Sequence, residues 1–222
     1  MKIPQKSAVI LLGAASLAFS MPSNAATLTF TDSIGDRLTN WSDTFSVSQF
    51  DPALGALISA TVLFEVASSG RVDSESLDAS PTTLAFNIGA NGELTGGGLT
   101  GTIEVNPLAA GSFNATAFDA VVDFAGSSGT SLAGLNDTKS EQAVLTGGDL
   151  APYIGNGSIT FDVSVVADSS ASGAGNLITA FSNSAAANVS VTYEYAEPVP
   201  EPSSVAMLAV GCAALLGRRR RV

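Results

Sequence analysis

The chain has 222 residues, of which 13% are charged, and its twenty acidic and nine basic side chains give a formal charge of −11 at pH 7. This balance excludes nucleic acid as an expected partner, because phosphate binding needs a basic surface. The absence of histidine excludes Ser-His-Asp and Cys-His catalysis and the commonest zinc sites, so we expect a protein that is not an enzyme.

The N terminus has the pattern of a secretory signal peptide. Lys2 and Lys6 precede a short apolar run at residues 8–19, and small residues lead to Ala25. We predict a signal helix that signal peptidase cleaves between Ala25 and Ala26. A retained membrane anchor is the alternative, and the shortness of the apolar run disfavours it.

The middle of the chain, residues 26–196, shows the two-residue periodicity of half-buried β-strands. In three stretches apolar residues alternate with polar ones, which predicts one face in a core and one in water. The residues predicted to point inward are Ile58, Ala60, Val62, Phe64 and Val66; Ile159, Phe161, Val163 and Val165; and Val189, Val191, Tyr193 and Tyr195.

Further short strands are predicted between clusters of turn-forming residues. About ten strands of this kind favour an all-β fold, an antiparallel β-sandwich that is jelly-roll-like. The additional strands are predicted at residues 27–31, 45–50, 84–88, 102–105, 117–124, 142–145 and 177–181, and flexible loops at 126–134 and 169–175.

The exported part is strongly acidic. Between Ala26 and Val199 only three basic side chains remain against nineteen acidic ones, a formal charge of −16. We interpret this as a solvated, self-repelling surface. Calcium is the one ion kept as a candidate, with no cofactor otherwise expected, and the carboxylates considered for it are Asp32, Asp36, Asp73, Glu75 and Asp78.

The C-terminal segment has three parts in a fixed order. The first is the tetrapeptide Val199, Pro200, Glu201 and Pro202; the second is an uncharged apolar run at residues 205–216; the third is Arg218, Arg219, Arg220 and Arg221. The apolar run is short for a membrane span, about 24 Å against roughly 30 Å of hydrocarbon. A core helix is therefore the alternative. The arginines favour a short transmembrane helix, because they resist translocation and extend toward the headgroups.

These three parts resemble the PEP-CTERM sorting signal of exosortase substrates, with Pro200, Glu201 and Pro202 as the motif proper. The resemblance implies recognition by a membrane-embedded exosortase, processing near this motif, and delivery to the cell surface or the extracellular matrix. The single cysteine, Cys212, lies in the apolar run and is interpreted as an ordinary helix residue.

A second resemblance covers the body, roughly residues 30–195. Residues 50–57 resemble the opening signature of the choice-of-anchor E domain family, and residues 153–161 and the final Val-x-Val-x-Tyr-x-Tyr strand are similar to the same family. This resemblance implies a β-rich surface domain, and it brings no catalytic residues with it.

We therefore predict a signal peptide at 1–25, a β-sandwich ectodomain at 26–196 and a sorting tail at 197–222. The predicted role is a non-enzymatic structural or surface role, from an inner-membrane-anchored precursor to the cell surface or matrix. The predicted partners are signal peptidase, the exosortase and the membrane.

The alternative role is that of a module that binds or degrades the carbohydrate of an extracellular polysaccharide. An exposed aromatic row would favour binding, and a cleft with paired carboxylates would favour hydrolysis. The aromatic side chains that distinguish these possibilities are Trp41, Tyr153, Tyr193 and Tyr195, of which the last two are expected in the core.

Overall fold

The computed structural model describes residues 25–198, in which nine strands and two short 3-10 helices follow one another. The strands are β1 (Ala25–Leu38), β2 (Trp41–Ser48), β3 (Ala56–Ser76), β4 (Thr82–Gly96), β5 (Ile103–Val105), β6 (Leu108–Ala115), β7 (Gly129–Thr146), β8 (Ser158–Ser172) and β9 (Leu177–Ala196). The 3-10 helices are Pro52–Leu54 and Gly147–Tyr153.

The strands form two sheets. One sheet has the order β1-β9-β3-β7; the other has the order β2-β8-β4-β5, with β6 pairing with β4 as well. All strand ladders are antiparallel. Apart from the steps from β4 to β5 and from β5 to β6, each connection passes from one sheet to the other, as in a jelly roll. The predicted antiparallel β-sandwich is confirmed.

The main core lies between the two sheets and contains most of the residues predicted to point inward. Val62 and Phe64 of β3, Val191 of β9 and Phe161 of β8 are fully buried. Tyr195, near the end of β9, is partly buried and packs against the same core. Alternation placed these residues correctly because each strand has one face toward the other sheet.

Ile58 was predicted to point inward, and this prediction was wrong. The pairing of β3 with β9 shifts by one residue between Leu57 and Ser59, so that Leu57 packs against the core and Ile58 is 45% exposed. A one-residue bulge reverses the faces of the residues before it.

The strand predicted at residues 117–124 is also wrong, because this segment is irregular. Asp119 and Asp123 accept hydrogen bonds from the N–H groups two residues further on, and Ala120 and Phe124 have positive φ. These local turns compete with strand pairing. The sequence analysis instead missed β6, which directly precedes this segment and pairs with β4.

A polar layer divides the interior. Beyond the main core, a second apolar cluster contains Val72, Leu84 and Phe86. Between the clusters, the buried Asn183 side chain accepts a hydrogen bond from Ser68 at 3.1 Å and donates one to the carbonyl of Gly89. These hydrogen bonds allow the long strands β3 and β9 to continue from one cluster to the next.

The predicted signal helix, the sorting tetrapeptide, the apolar run at 205–216 and the four arginines lie outside the described residues. Ala25 and Ala26 are the only predicted processing residues within them.

Candidate functional site

The chain enters and leaves the sandwich at the same end. Ala196, the last residue of β9, pairs with Ala25 on one side and with Ala56 on the other, because β9 lies between β1 and β3. The predicted cleavage site therefore lies within β1, where Ala26 pairs with Tyr195. We call this end of the sandwich, where Ala25, Ala56 and Ala196 lie side by side, the exit end.

Gly55 fixes the backbone of the exit end. It follows the 3-10 helix that Asp51 caps by accepting a hydrogen bond from Ala53 N–H at 2.8 Å, and its φ is 145°. A side chain at this position would meet the carbonyl oxygen of Ala196. Only glycine allows β3 to begin so close to the point where β9 ends.

An aromatic cluster supports the exit end from inside. The Phe50 ring lies 5.1 Å from the ring of Tyr195 and 5.8 Å from that of Tyr193, and the Tyr153 ring lies 6.4 Å from that of Tyr193. The Tyr193 hydroxyl donates a hydrogen bond to the carbonyl of Ser48 at 2.9 Å, whereas the buried Tyr153 hydroxyl has no partner within residues 25–198. Burial raises the pKa of Tyr153 to about 12 and raises that of Tyr193 further.

Trp41 lies apart from this cluster, on β2. The Arg37 guanidinium stacks over its ring at 4.2 Å and pairs with Asp43 at 2.9 Å. The Thr44 N–H and this arginine together lower the pKa of the Asp43 carboxyl. The four aromatic side chains proposed as markers of carbohydrate binding therefore do not form one exposed row.

An open groove crosses the outer face of the second sheet. Asp162 of β8 lies between Thr44 of β2 and Thr95 of β4, and Glu93 of β4 is one row further along. These carboxylates and hydroxyls suit hydrogen bonding to a polyhydroxylated ligand. The sequence analysis did not bring Glu93 and Asp162 together, because strand register brings them together and neither residue lies in a motif.

A second open groove lies on the outer face of the first sheet. It is lined by Asp32 and Ser33 of β1, Glu65 of β3 and Asn188 of β9. Asp32 accepts hydrogen bonds from the backbone N–H groups of Ser33 and Ser46, at 2.8 Å each. Its carboxylate therefore joins β1 to β2.

The remaining carboxylates considered for calcium also have protein partners. Asp36 accepts a hydrogen bond from Ser184, and Asp78 accepts two from backbone N–H groups of residues 175 and 176. The Ser131 hydroxyl and the Arg71 guanidinium lower the pKa of Asp73. No group of three or more acidic or cysteine side chains within residues 25–198 is arranged to hold a metal ion.

Glu75 differs from the other carboxylates because it is fully buried. One of its oxygens accepts a hydrogen bond from the Phe124 N–H at 2.9 Å, and the other has no partner among the residues that the structure describes. The segment around Gly129 packs so closely against this carboxyl group that any side chain there would clash with it. Glu75 thereby holds the irregular segment 117–124 to the sheet.

The comparison with protein families concerns the segment that follows β9. Residues 198–221 match a family model described as the PEP-CTERM protein-sorting motif. The chain carries this sorting motif. This motif, which begins two residues after the end of β9, supports an exported protein that passes the membrane as a precursor and is sorted by an exosortase. Within residues 25–198, no helix has the length and apolar character needed to span a bilayer.

The whole chain has only distant similarity to solved structures. Among solved structures, it is similar to that of the Gx strain of infectious bursal disease virus, with 15% identity over 94% of this chain and 54% of that chain and a TM-score of 0.25. It is also similar to the VP2 subviral particle of that virus, with 12% identity over 80% of this chain and 38% of that chain and a TM-score of 0.25. The chain spans about half the length of these viral chains or less, and such TM-scores carry no conclusion on function. No curated protein matches the chain.

Proposed function

We propose that this chain is a structural or surface protein of the cell envelope or extracellular matrix, and that an exosortase processes its tail near Val199, Pro200, Glu201 and Pro202. The observation that carries this proposal is the sorting-motif match at residues 198–221, which begins directly after the sandwich. Processing would leave the body free of the apolar run, by analogy with other sorting signals whose hydrophobic tail is removed.

The proposed topology explains why the chain has basic residues at both termini. Residues 1–25 direct export and are removed by signal peptidase, while the apolar run at 205–216 holds the precursor in the inner membrane. Arg218, Arg219, Arg220 and Arg221 stay on the cytoplasmic side, because positive charges resist translocation. The acidic body then lies outside, where its net charge keeps it soluble and separate from its neighbours.

For the body, we propose a non-enzymatic domain similar to the choice-of-anchor E family. The complete absence of histidine supports this role, because it leaves only carboxylates, Lys139 and hydroxyls as catalytic candidates. The burial of Tyr193 and the packing of Tyr195 also fit a structural use of the aromatic residues.

Carbohydrate binding is the second candidate function of the body. The groove that contains Glu93, Thr95 and Asp162 favours it, because hydroxyls and carboxylates from three strands face solvent together there. Titration with matrix polysaccharide tests this candidate: loss of binding in Asp162→Ala would support it, and equal binding by wild type and this variant would contradict it.

The experiment that tests sorting replaces Pro200, Glu201 and Pro202 by alanine in the native host. The variant should accumulate in the membrane fraction with its tail intact, while the wild type leaves this fraction. The matched control is the replacement of Ser203 and Ser204 by alanine, which changes neighbouring residues but keeps the motif. Equal surface delivery of the motif variant and the wild type would contradict the proposal.

A further inference from the structure

We propose that the exit end of the sandwich is a docking surface for the exported face of the exosortase. This proposal rests on the proposed processing near Pro200, and it adds that the enzyme contacts the folded body as well as the tail. Three observations carry it: the length of the tether, the rigidity of the exit, and the exposed apolar side chains around it.

The tether is short. Ala196 ends β9, and Pro200 follows four residues later. Four residues span at most about 14 Å even when fully extended. An active site that binds the Pro-Glu-Pro segment must therefore lie within this distance of the sandwich, so the surface of the enzyme near its active site meets the body.

The end of β9 cannot detach from the sheet to make the tether longer without a loss of stability. Ala196 is held between β1 and β3, and Gly55 packs against its carbonyl oxygen. The preceding Tyr195 packs against the core and against the Phe50 ring. Releasing these residues would break pairing on both sides of β9 and expose an aromatic side chain to water.

Three apolar side chains near the exit end are exposed to solvent instead of packing in the core. Leu54, which precedes Gly55, is 41% exposed; Ile58, beside the bulge of β3, is 45% exposed; Ile154, which bridges to Phe50, is 42% exposed. We call these three residues the exit rim. Apolar side chains grouped around one feature are typical of a contact surface.

The charge of the exit end indicates which charge its partner surface should carry. Glu194 and Glu197 are exposed there. Removal of the signal peptide would add one opposing charge, the α-amino group of Ala26, which pairs with Tyr195. Of the three basic residues in the described part of the chain, Lys139 is the nearest to Ala196 along the sheet. Lys139 and Ala187 both pair with Val66 of β3. Ala187 lies nine residues before Ala196 on β9, or about 30 Å at roughly 3.3 Å per residue. The complementary surface on the exosortase is therefore apolar with basic groups at its margin.

The test uses full-length protein co-expressed with the exosortase in the native membrane, with tail removal followed over time by mass. Leu54→Asp combined with Ile154→Asp should slow tail removal about tenfold, as expected when central contacts of an interface are lost. The matched control is Leu38→Asp combined with Ile178→Asp. It changes the same residue types, which are 72% and 38% exposed, outside the exit end, and should leave the rate within about twofold.

A third variant separates docking from the chemistry of the tail. Ten Gly/Ser residues inserted between Glu197 and Pro198 add a flexible reach of about 17 Å. In this background tail removal should proceed whether or not Leu54 and Ile154 are changed.

Three results would contradict the proposal in different ways. Rim variants that are processed at the wild-type rate overturn docking and leave the proposed function standing. Wild-type protein that keeps its tail overturns the proposed function, and docking with it. Mature protein, with its tail already removed, that binds protein-free lipid vesicles and loses this binding in the rim variants would identify lipid as the occupant instead, which also overturns docking on the enzyme.

Discussion

Two buried tyrosines provide a matched pair for testing how the exit end is stabilised. Tyr193 and Tyr153 are both fully buried, with ring centroids 6.4 Å apart. They differ in the hydroxyl, because Tyr193 donates to the carbonyl of Ser48 at 2.9 Å and Tyr153 has no partner in the described part of the chain. Tyr193→Phe should lower the free energy of unfolding by about 1–2 kcal/mol, the usual effect of losing a buried hydrogen bond. Tyr153→Phe should leave it unchanged or raise it by up to about 1 kcal/mol, because an unpaired buried hydroxyl opposes folding.

Urea unfolding followed by circular dichroism measures both changes against the same wild type. The two variants remove the same atom from neighbouring side chains, so differences in packing largely cancel. Equal losses of stability in the two variants would refute the hydrogen-bond assignment. A larger loss in Tyr153→Phe would show that the Tyr153 hydroxyl has a partner.

Three further predictions concern the same body. Gly55→Ala should lower the free energy of unfolding by about 1–3 kcal/mol, through backbone strain and the clash with Ala196. The control is Gly148→Ala, whose added Cβ atom would have no described neighbour within 4 Å and which should change this free energy by less than about 0.5 kcal/mol. Equal effects of the two variants in urea unfolding would contradict this prediction. Folding raises the pKa of Tyr153 from 10.0 to about 12, so the folded state holds this proton more tightly than the unfolded state. The contribution of Tyr153 to the free energy of unfolding is therefore fully present below pH 10 and is lost between pH 10 and about 12. The pH dependence of the free energy of unfolding across this range should weaken in Tyr153→Phe, and Tyr193, whose pKa is also raised, accounts for the dependence that remains. An unchanged pH slope would contradict the assignment. Chelation by EDTA should leave the melting temperature unchanged, and a fall would indicate a bound cation.

The sequence predicts the fold wherever strands bury one face against a core. The alternation in β3, β8 and β9 placed Phe64, Phe161 and Val191 correctly, because period-2 burial is a local property of a strand. It failed at Ile58, since a bulge depends on the register with the partner strand and leaves no mark in the strand's own sequence.

Small and acidic residues account for the other errors. Segment 117–124 is apolar enough to have been predicted as a strand, but Asp119 and Asp123 form turns with their own backbone. In contrast, the flexible loop predicted at residues 126–134 was wrong for most of its length, because β7 begins at Gly129 and its Gly- and Ser-rich start pairs with β3. Local composition could not distinguish these two cases, because tertiary pairing decides them.

The candidate site was only partly predictable. The sorting motif is a linear pattern and was recognised directly from Pro200, Glu201 and Pro202. The exit end is not linear, since it joins residues from β1, β3, β9 and the two 3-10 helices. Nothing in the sequence places Ile154 beside Phe50, because the two residues are joined only by an isolated bridge in the folded chain.

The most direct test of the account is the mass of the mature protein from its native host, compared between wild type and a strain that lacks the exosortase. Surface protein from the wild-type strain is expected to begin at Ala26 and to have lost Arg218, Arg219, Arg220 and Arg221. In the mutant strain the arginines should remain, in a membrane-bound precursor. Surface protein that keeps all four arginines in both strains would contradict the account.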